Sequence, residues 1–174
     1  LESRGLGDVY KRQVIGFAKL EVGVDTDDSG SNTFDSRLAY VGMSANNVGD
    51  LSVGRQSHPF TDNVATTASI FEVYGGSSSF SHGTRSSNSI AYSNTLGQIT
   101  VDALGVVDGS SGKDGVDSYE WSATVDVVDG VSLSGGLAAD EVNDIYYYGV
   151  GMNTSISDDL SIASSYTMKD AATD

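Results

Sequence analysis

From Val14 onward, apolar and polar residues alternate with a period of two. Within residues 14–25, Ala18, Leu20, Val22 and Val24 fall on one face, and Lys19, Glu21 and Asp25 on the other. Residues 117–128 show the pattern most clearly. Tyr119, Trp121, Ala123, Val125 and Val127 share a face, while Ser118, Glu120, Ser122, Thr124 and Asp126 share the opposite one. Residues 131–140 and 160–169 repeat it. Successive side chains of an extended chain point to opposite sides, so this alternation predicts strands with a single apolar face. Strands are expected over 14–25, 34–44, 51–56, 87–94, 99–108, 117–128, 131–140, 145–155 and 160–169. Most are about 10 residues long, the length a tilted strand needs to cross a bilayer. Short turns at 46–50, 95–98, 129–130 and 156–159 alternate with longer connections at 26–33, 57–86 and 109–116, and 141–144 closes the side of the longer ones. The fold class is therefore all-β, an antiparallel up-and-down transmembrane barrel.

A soluble sandwich or barrel would hide the apolar faces inside, and periodicity alone does not choose between the two arrangements. Three features favour apolar faces turned outward. The polar faces are small and rich in hydroxyls, which suits a wet lumen. The apolar faces carry aromatic residues near strand ends (Tyr40, Tyr92, Tyr119, Trp121, Tyr146, Tyr148, Tyr166), as in an interfacial girdle. The strands also exceed the roughly 5–6 residues typical of soluble sheets.

Composition narrows the function. The formal charge of −15 would repel a nucleic-acid duplex. An acidic chain of this kind could be disordered, but the regular alternation argues against it. There is no cysteine, hence no disulfide framework and no thiolate metal site. Residues 1–13, LESRGLGDVYKRQ, hold three of the nine basic residues and fit no strand pattern. They are expected to be a non-native leader, with the barrel occupying 14–174.

Signatures of chemistry are sparse. No Ser, His and Asp combine into a nucleophile motif, so no enzymatic activity and no cofactor are expected. His58 and His82 share the connection 57–86, but two His without a third convergent ligand make a poor metal site, and both read as polar loop residues. Residues 25–30 begin like a calcium loop, yet the twelfth position is Ser36 where a bidentate Glu is required, so a solvated hairpin loop is the simpler reading.

The stretch Asp35-Ser36-Arg37-Leu38-Ala39-Tyr40-Val41-Gly42, followed by Leu51-Ser52-Val53-Gly54-Arg55-Gln56 and by Arg85-Ser86-Ser87-Asn88-Ser89-Ile90-Ala91-Tyr92, resembles the Gram-negative trimeric general-diffusion porins. The family shows an SRLGFxG-like strand, a VGRQ-like strand end, a long third external loop and an RxxNSIxY-like strand, and these pieces occur here in that order. The later segments GVDSYE, YYGVGM and LSIASSYTMKD are similar to porin strands as well. The resemblance implies a bacterial outer-membrane protein, a sixteen-stranded barrel assembled as a homotrimer in outer-membrane lipid, with the third loop folded into the pore. On that count the chain carries about nine of the sixteen strands, with roughly two missing before it and five after it, and is a fragment. The implied function is passive diffusion of small hydrophilic solutes and ions through a water-filled pore. A small outer-membrane barrel used for adhesion or structure, and a soluble exported β-sandwich binding module, are the alternatives.

In the porin pattern, basic residues on the wall face acidic residues of the constriction loop, and the field between them orients passing solutes. Charged rings of this kind set channel selectivity. The resemblance points to Arg37, Arg85 and Arg55 as pore-lining cations, with Lys19 beside them. Arg37 is expected on the face of Asp35 and Ala39, opposite Leu38 and Tyr40, and Arg85 just before its strand begins. Strict parity puts Arg55 with Leu51 and Val53, towards lipid, unless a bulge or the strand end turns it. The acidic candidates in the loop are Asp62 and Glu72. A PEFGGD-like acidic stretch is absent, and Glu72-Val73-Tyr74-Gly75-Gly76 is a looser echo. Phe60, Phe71 and Phe80 are expected to anchor the loop against the wall.

Overall fold

The computed structural model describes residues 14–24, 34–68, 83–107, 115–157 and 159–171. The leader expected at 1–13 and positions 25–33 of the calcium-like loop lie outside the described residues. Nine strands follow one another: β1 (Val14–Val24), β2 (Phe34–Ala45), β3 (Gly49–Ser57), β4 (Arg85–Leu96), β5 (Ile99–Val106), β6 (Ser118–Val128), β7 (Val131–Asp140), β8 (Ile145–Ser157) and β9 (Leu160–Ala171). They pair antiparallel in chain order within a single open sheet whose edges are β1 and β9. All nine expected strands are present, and the ends of β7 fall where the alternation placed them. Strand β4 begins two residues earlier than expected, so Arg85 is its first residue rather than its approach.

The faces of this sheet are inverted relative to a soluble domain. Leu20, Val41, Val53, Ile90, Trp121 and Val150 are exposed, while Ser52, Gln56, Ser89, Ser118, Glu120 and Ser122 are buried. Water drives apolar side chains inward, so a soluble sandwich would show the opposite order. A lipid-facing barrel wall alternates apolar out and polar in, as here. Among the described residues an apolar cluster forms on the inner side from Phe60, Val64, Ala65, Ala138 and Tyr147. It forms where a π-helical turn, Thr61–Ala65, from the β3–β4 connection lies against β7 and β8.

Of the four irregularities in the strand pairing, two lie beside candidate site residues. Between β1 and β2, Glu21 pairs with Leu38 but Val22 pairs with Ser36, leaving Arg37 as an extra residue. Such a bulge bends the strand and re-aims the side chain. Directly paired residues share a face, and Leu20 is the most exposed apolar residue of β1 at 76%. Its neighbours Lys19 and Glu21 therefore point inward, and so do their partners Tyr40 and Leu38. The expectation that Arg37 shares a face with Ala39, opposite Leu38 and Tyr40, is thus corrected. The bulge switches parity, so Arg37 joins Asp35 and Glu21 while Ala39 faces outward. Tyr40 accordingly leaves the outer girdle and meets Phe17 edge-to-face, with centroids 6.3 Å apart. Tyr92, Tyr119, Trp121, Tyr148 and Tyr166 do lie exposed on the outer face. The second irregularity, between β3 and β4, falls at Arg55, flanked by Gly54 at φ 131° and opposite Asn88 at φ 54°.

Candidate pore constriction

The β3–β4 connection turns inward immediately after Ser57. The backbone N–H of His58 donates to the Thr84 carbonyl (3.1 Å), which clasps the two arms of the connection at its root. The His58 side chain is almost wholly buried. Its Nδ1 pairs with Oε1 of Glu120 on β6, and its Nε2 lies 2.8 Å from the Ser86 hydroxyl. The same Glu120 accepts the Phe60 backbone N–H on Oε2 at 3.1 Å. The polar loop residue expected at position 58 is thus a buried link between the loop root and the wall; His82 lies outside the described residues. Burial of a charged carboxylate is costly unless it is paired and hydrogen-bonded, and Glu120 has both.

Beyond this root, polar side chains stitch the turn to the wall. The Thr61 hydroxyl donates to the Gly83 carbonyl (2.5 Å), and the Asn63 amide donates to Asp102 on β5 and to Ser122 on β6, each at 2.9 Å. The Ser165 hydroxyl of β9 donates to the Ala65 carbonyl at 3.3 Å. Packing completes the seat. Thr61, Val64 and Ala65 are buried at a helical spacing, while Asp62 between them is exposed. On β8, beyond Tyr147, the wall beneath the turn carries two glycines. A Cβ on Gly149 would stand 2.9 Å from Val64 Cγ1, and one on Gly151 would stand 2.6 Å from the Thr67 hydroxyl. Larger residues there would push the turn away. Phe60 anchors the turn as expected, fully buried; Phe71 and Phe80 lie outside the described residues.

The charged residues gather in two places. Arg37, Arg55 and Arg85 line one cavity of about 570 Å³ together with Asp35. Arg37 pairs with Glu21 through Nε. Arg55 donates through Nε to the Ser36 carbonyl (2.9 Å) and through a terminal nitrogen to the Ser87 hydroxyl (3.2 Å). The extra residue of this bulge lies on β4, so β3 keeps its alternation and Arg55 stays on the parity of Leu51 and Val53, its guanidinium held at the strand end by these two bonds. Arg85 Nε is buried and has no hydrogen-bond partner among the described residues. The second cavity, about 350 Å³, is lined by Lys19 and Asp62 with Tyr40, Gln56 and Asp102 among others. The surrounding wall strips part of the hydration from Asp62, and this desolvation holds its carboxyl above the usual carboxylate range. A hydrogen bond from Ser57 and the charge of Arg85 pull in the opposite direction and are outweighed. Glu72 lies outside the described residues.

Sequence reasoning overlooked Glu120, Asn63, Asp102 and the two glycines of β8 as residues of this site. A weak signal existed for Glu120, a lone carboxylate between Ser118 and Ser122 on the polar face of β6.

The family model for Gram-negative porins matches residues 13–174. No curated protein matches the chain in sequence. Among solved structures the chain is similar to Salmonella typhi OmpF in its complex with daunomycin, with a TM-score of 0.67 at 14% identity, covering 88% of this chain and 53% of that one. The likeness at that identity concerns the fold, and the chain spans about half the length of that protein. Matching over nearly its whole length, and built from lipid-facing strands with a loop turned inward, the chain belongs to the Gram-negative porins of the bacterial outer membrane.

Proposed function

We propose that the whole protein forms a water-filled pore through which small hydrophilic solutes and ions diffuse passively, and that the β3–β4 loop sets its narrowest part. The observation that carries this reading is the first stretch of the loop, residues 58–68, bonded to the polar inner face of β5, β6 and β9. An adhesion barrel has no use for such a loop. In this reading Asp62 offers a carboxylate on the loop, with Lys19 on the wall beside it. Arg37, Arg55 and Arg85 supply positive charge at the neighbouring stretch of wall, and Glu72 adds to the acidic side. The protein works as a homotrimer in outer-membrane lipid, with β1 and β9 paired to further strands that close the barrel. Transport then needs no cofactor and no covalent step. The acidic surplus of the chain favours cations by raising their local concentration.

The test is reconstitution of the full-length protein in a planar bilayer. Discrete conductance steps with a reversal potential displaced towards cations are expected in a salt gradient. Membranes that stay silent, in vesicles that also exclude small sugars, would overturn the pore.

A further inference from the structure

We infer that Glu120 is a positioning residue of the pore, holding the constriction loop flat against the wall and so keeping the passage clear. This rests on the porin reading above. Glu120 stands on the inner face of β6 with both carboxylate oxygens engaged by the loop root, one by His58 Nδ1 and the other by the Phe60 N–H. His58 in turn is tied to Ser86 of β4 through its second ring nitrogen. One side chain therefore fixes the loop where it leaves β3 and joins it, through an imidazole, to the strand to which the loop returns. The residues that follow are already in contact with the wall, since Thr61, Val64 and Ala65 are buried beneath the turn. A segment lying flush on the inside of a wall can leave it only towards the lumen. Loss of the Glu120 contacts therefore narrows the pore and lets the loop fluctuate across it, and does not widen it. The hydrogen bonds of Asn63 to Asp102 and Ser122 lie further along the turn and do not replace the root contact.

The experiment compares E120A and E120Q in the full-length protein. The amide of Gln keeps one acceptor oxygen for the Phe60 N–H and gives His58 a donor in place of an acceptor, which the ring accommodates by exchanging tautomers. Single-channel recordings of E120A are expected to show smaller mean current, by about two-fold, with frequent brief closures at voltages where the unsubstituted pore stays open. E120Q is expected to restore the quiet current. A second measurement does not depend on conductance. Spin labels at Thr66→Cys on the loop and Met168→Cys on β9 report the loop-to-wall distance in detergent, and this chain has no other cysteine. A narrow distance distribution is expected with Glu120 or Gln and a broad, longer one with Ala. An E120A pore with the unsubstituted current and distribution would overturn the inference, as would a larger, steady current. Normal distances in a protein that passes no current would overturn the porin reading instead.

Discussion

Asp62 sits among buried neighbours yet keeps its carboxylate on the solvent side of the turn. Because desolvation raises its pKa, it takes up a proton at a higher pH than an ordinary Asp does on acidification. The cation preference of the pore is therefore expected to decline before the bulk of carboxylates titrate near about pH 4. In Asp62→Asn the early part of that decline disappears, and reversal potentials measured across a pH series read it directly. The linkage to stability has a definite sign. A group whose folded pKa lies above its unfolded value contributes stability that is present below the unfolded pKa and lost as pH rises through the folded pKa. At neutral pH the Asp62 carboxylate therefore works against folding. Asp62→Asn is expected to unfold no more readily than the unsubstituted protein at pH 7, as heat-dependent gel migration would show.

At the scale of elements, the seat of the turn depends on what β8 lacks as much as on what β6 supplies. Gly149 and Gly151 face the lumen, where a side chain would meet Val64 of the turn and Thr167 of β9, or Thr67 of the turn and Ser134 of β7. In a close-packed interior an added side chain costs about 1–3 kcal/mol when its neighbours cannot move aside. Among the described residues the turn meets the wall through hydrogen bonds to side chains and a small apolar cluster, whereas β8 is held by ladders on both edges. Gly149→Val should therefore displace the turn and leave the strand in place. The expected result is a folded barrel with reduced conductance; a pore with unchanged conductance would show that the turn has room to spare. The bulge at Arg37 acts in the same way on the opposite part of the sheet. One extra residue brings the guanidinium to the side of Glu21 and Asp35, and turns Leu38 and Tyr40 inward, where simple alternation would send them to lipid.

For the whole molecule, the solvent on each side of the sheet decides which substitutions are tolerated. Val41 is exposed on the outer face near the middle of β2. An Arg facing lipid at the bilayer midplane costs about 2–4 kcal/mol, falling towards the interfaces. Val41→Arg is expected to lower folding into lipid vesicles by that order, read from the denaturant dependence of refolding. An equal penalty in detergent-free water, with the protein soluble and monomeric, would contradict the lipid-facing assignment. The open edges β1 and β9 present unpaired backbone groups, and a barrel wall leaves none in lipid.

Much of this was legible in the sequence because a strand reports its two faces with a period that needs no tertiary information. The nine strands, their antiparallel order and the alternation of short turns with long connections follow from it, and the aromatic positions other than Tyr40 marked the outward face. The ordered motifs around Arg37, Arg55 and Arg85 carried the family. Parity, however, propagates along a strand only until a residue is inserted, and nothing in Ser36-Arg37-Leu38 announces a bulge, because register belongs to a pair of strands and not to one. The loop was harder still. The resemblance gave it a place in the pore, but its course depends on contacts between residues as far apart as His58 and Glu120, or Ala65 and Ser165. A buried carboxylate and a solvated one look alike in sequence. Only the fold decides which of them meets a histidine and a backbone N–H out of water, and so which residue holds the loop.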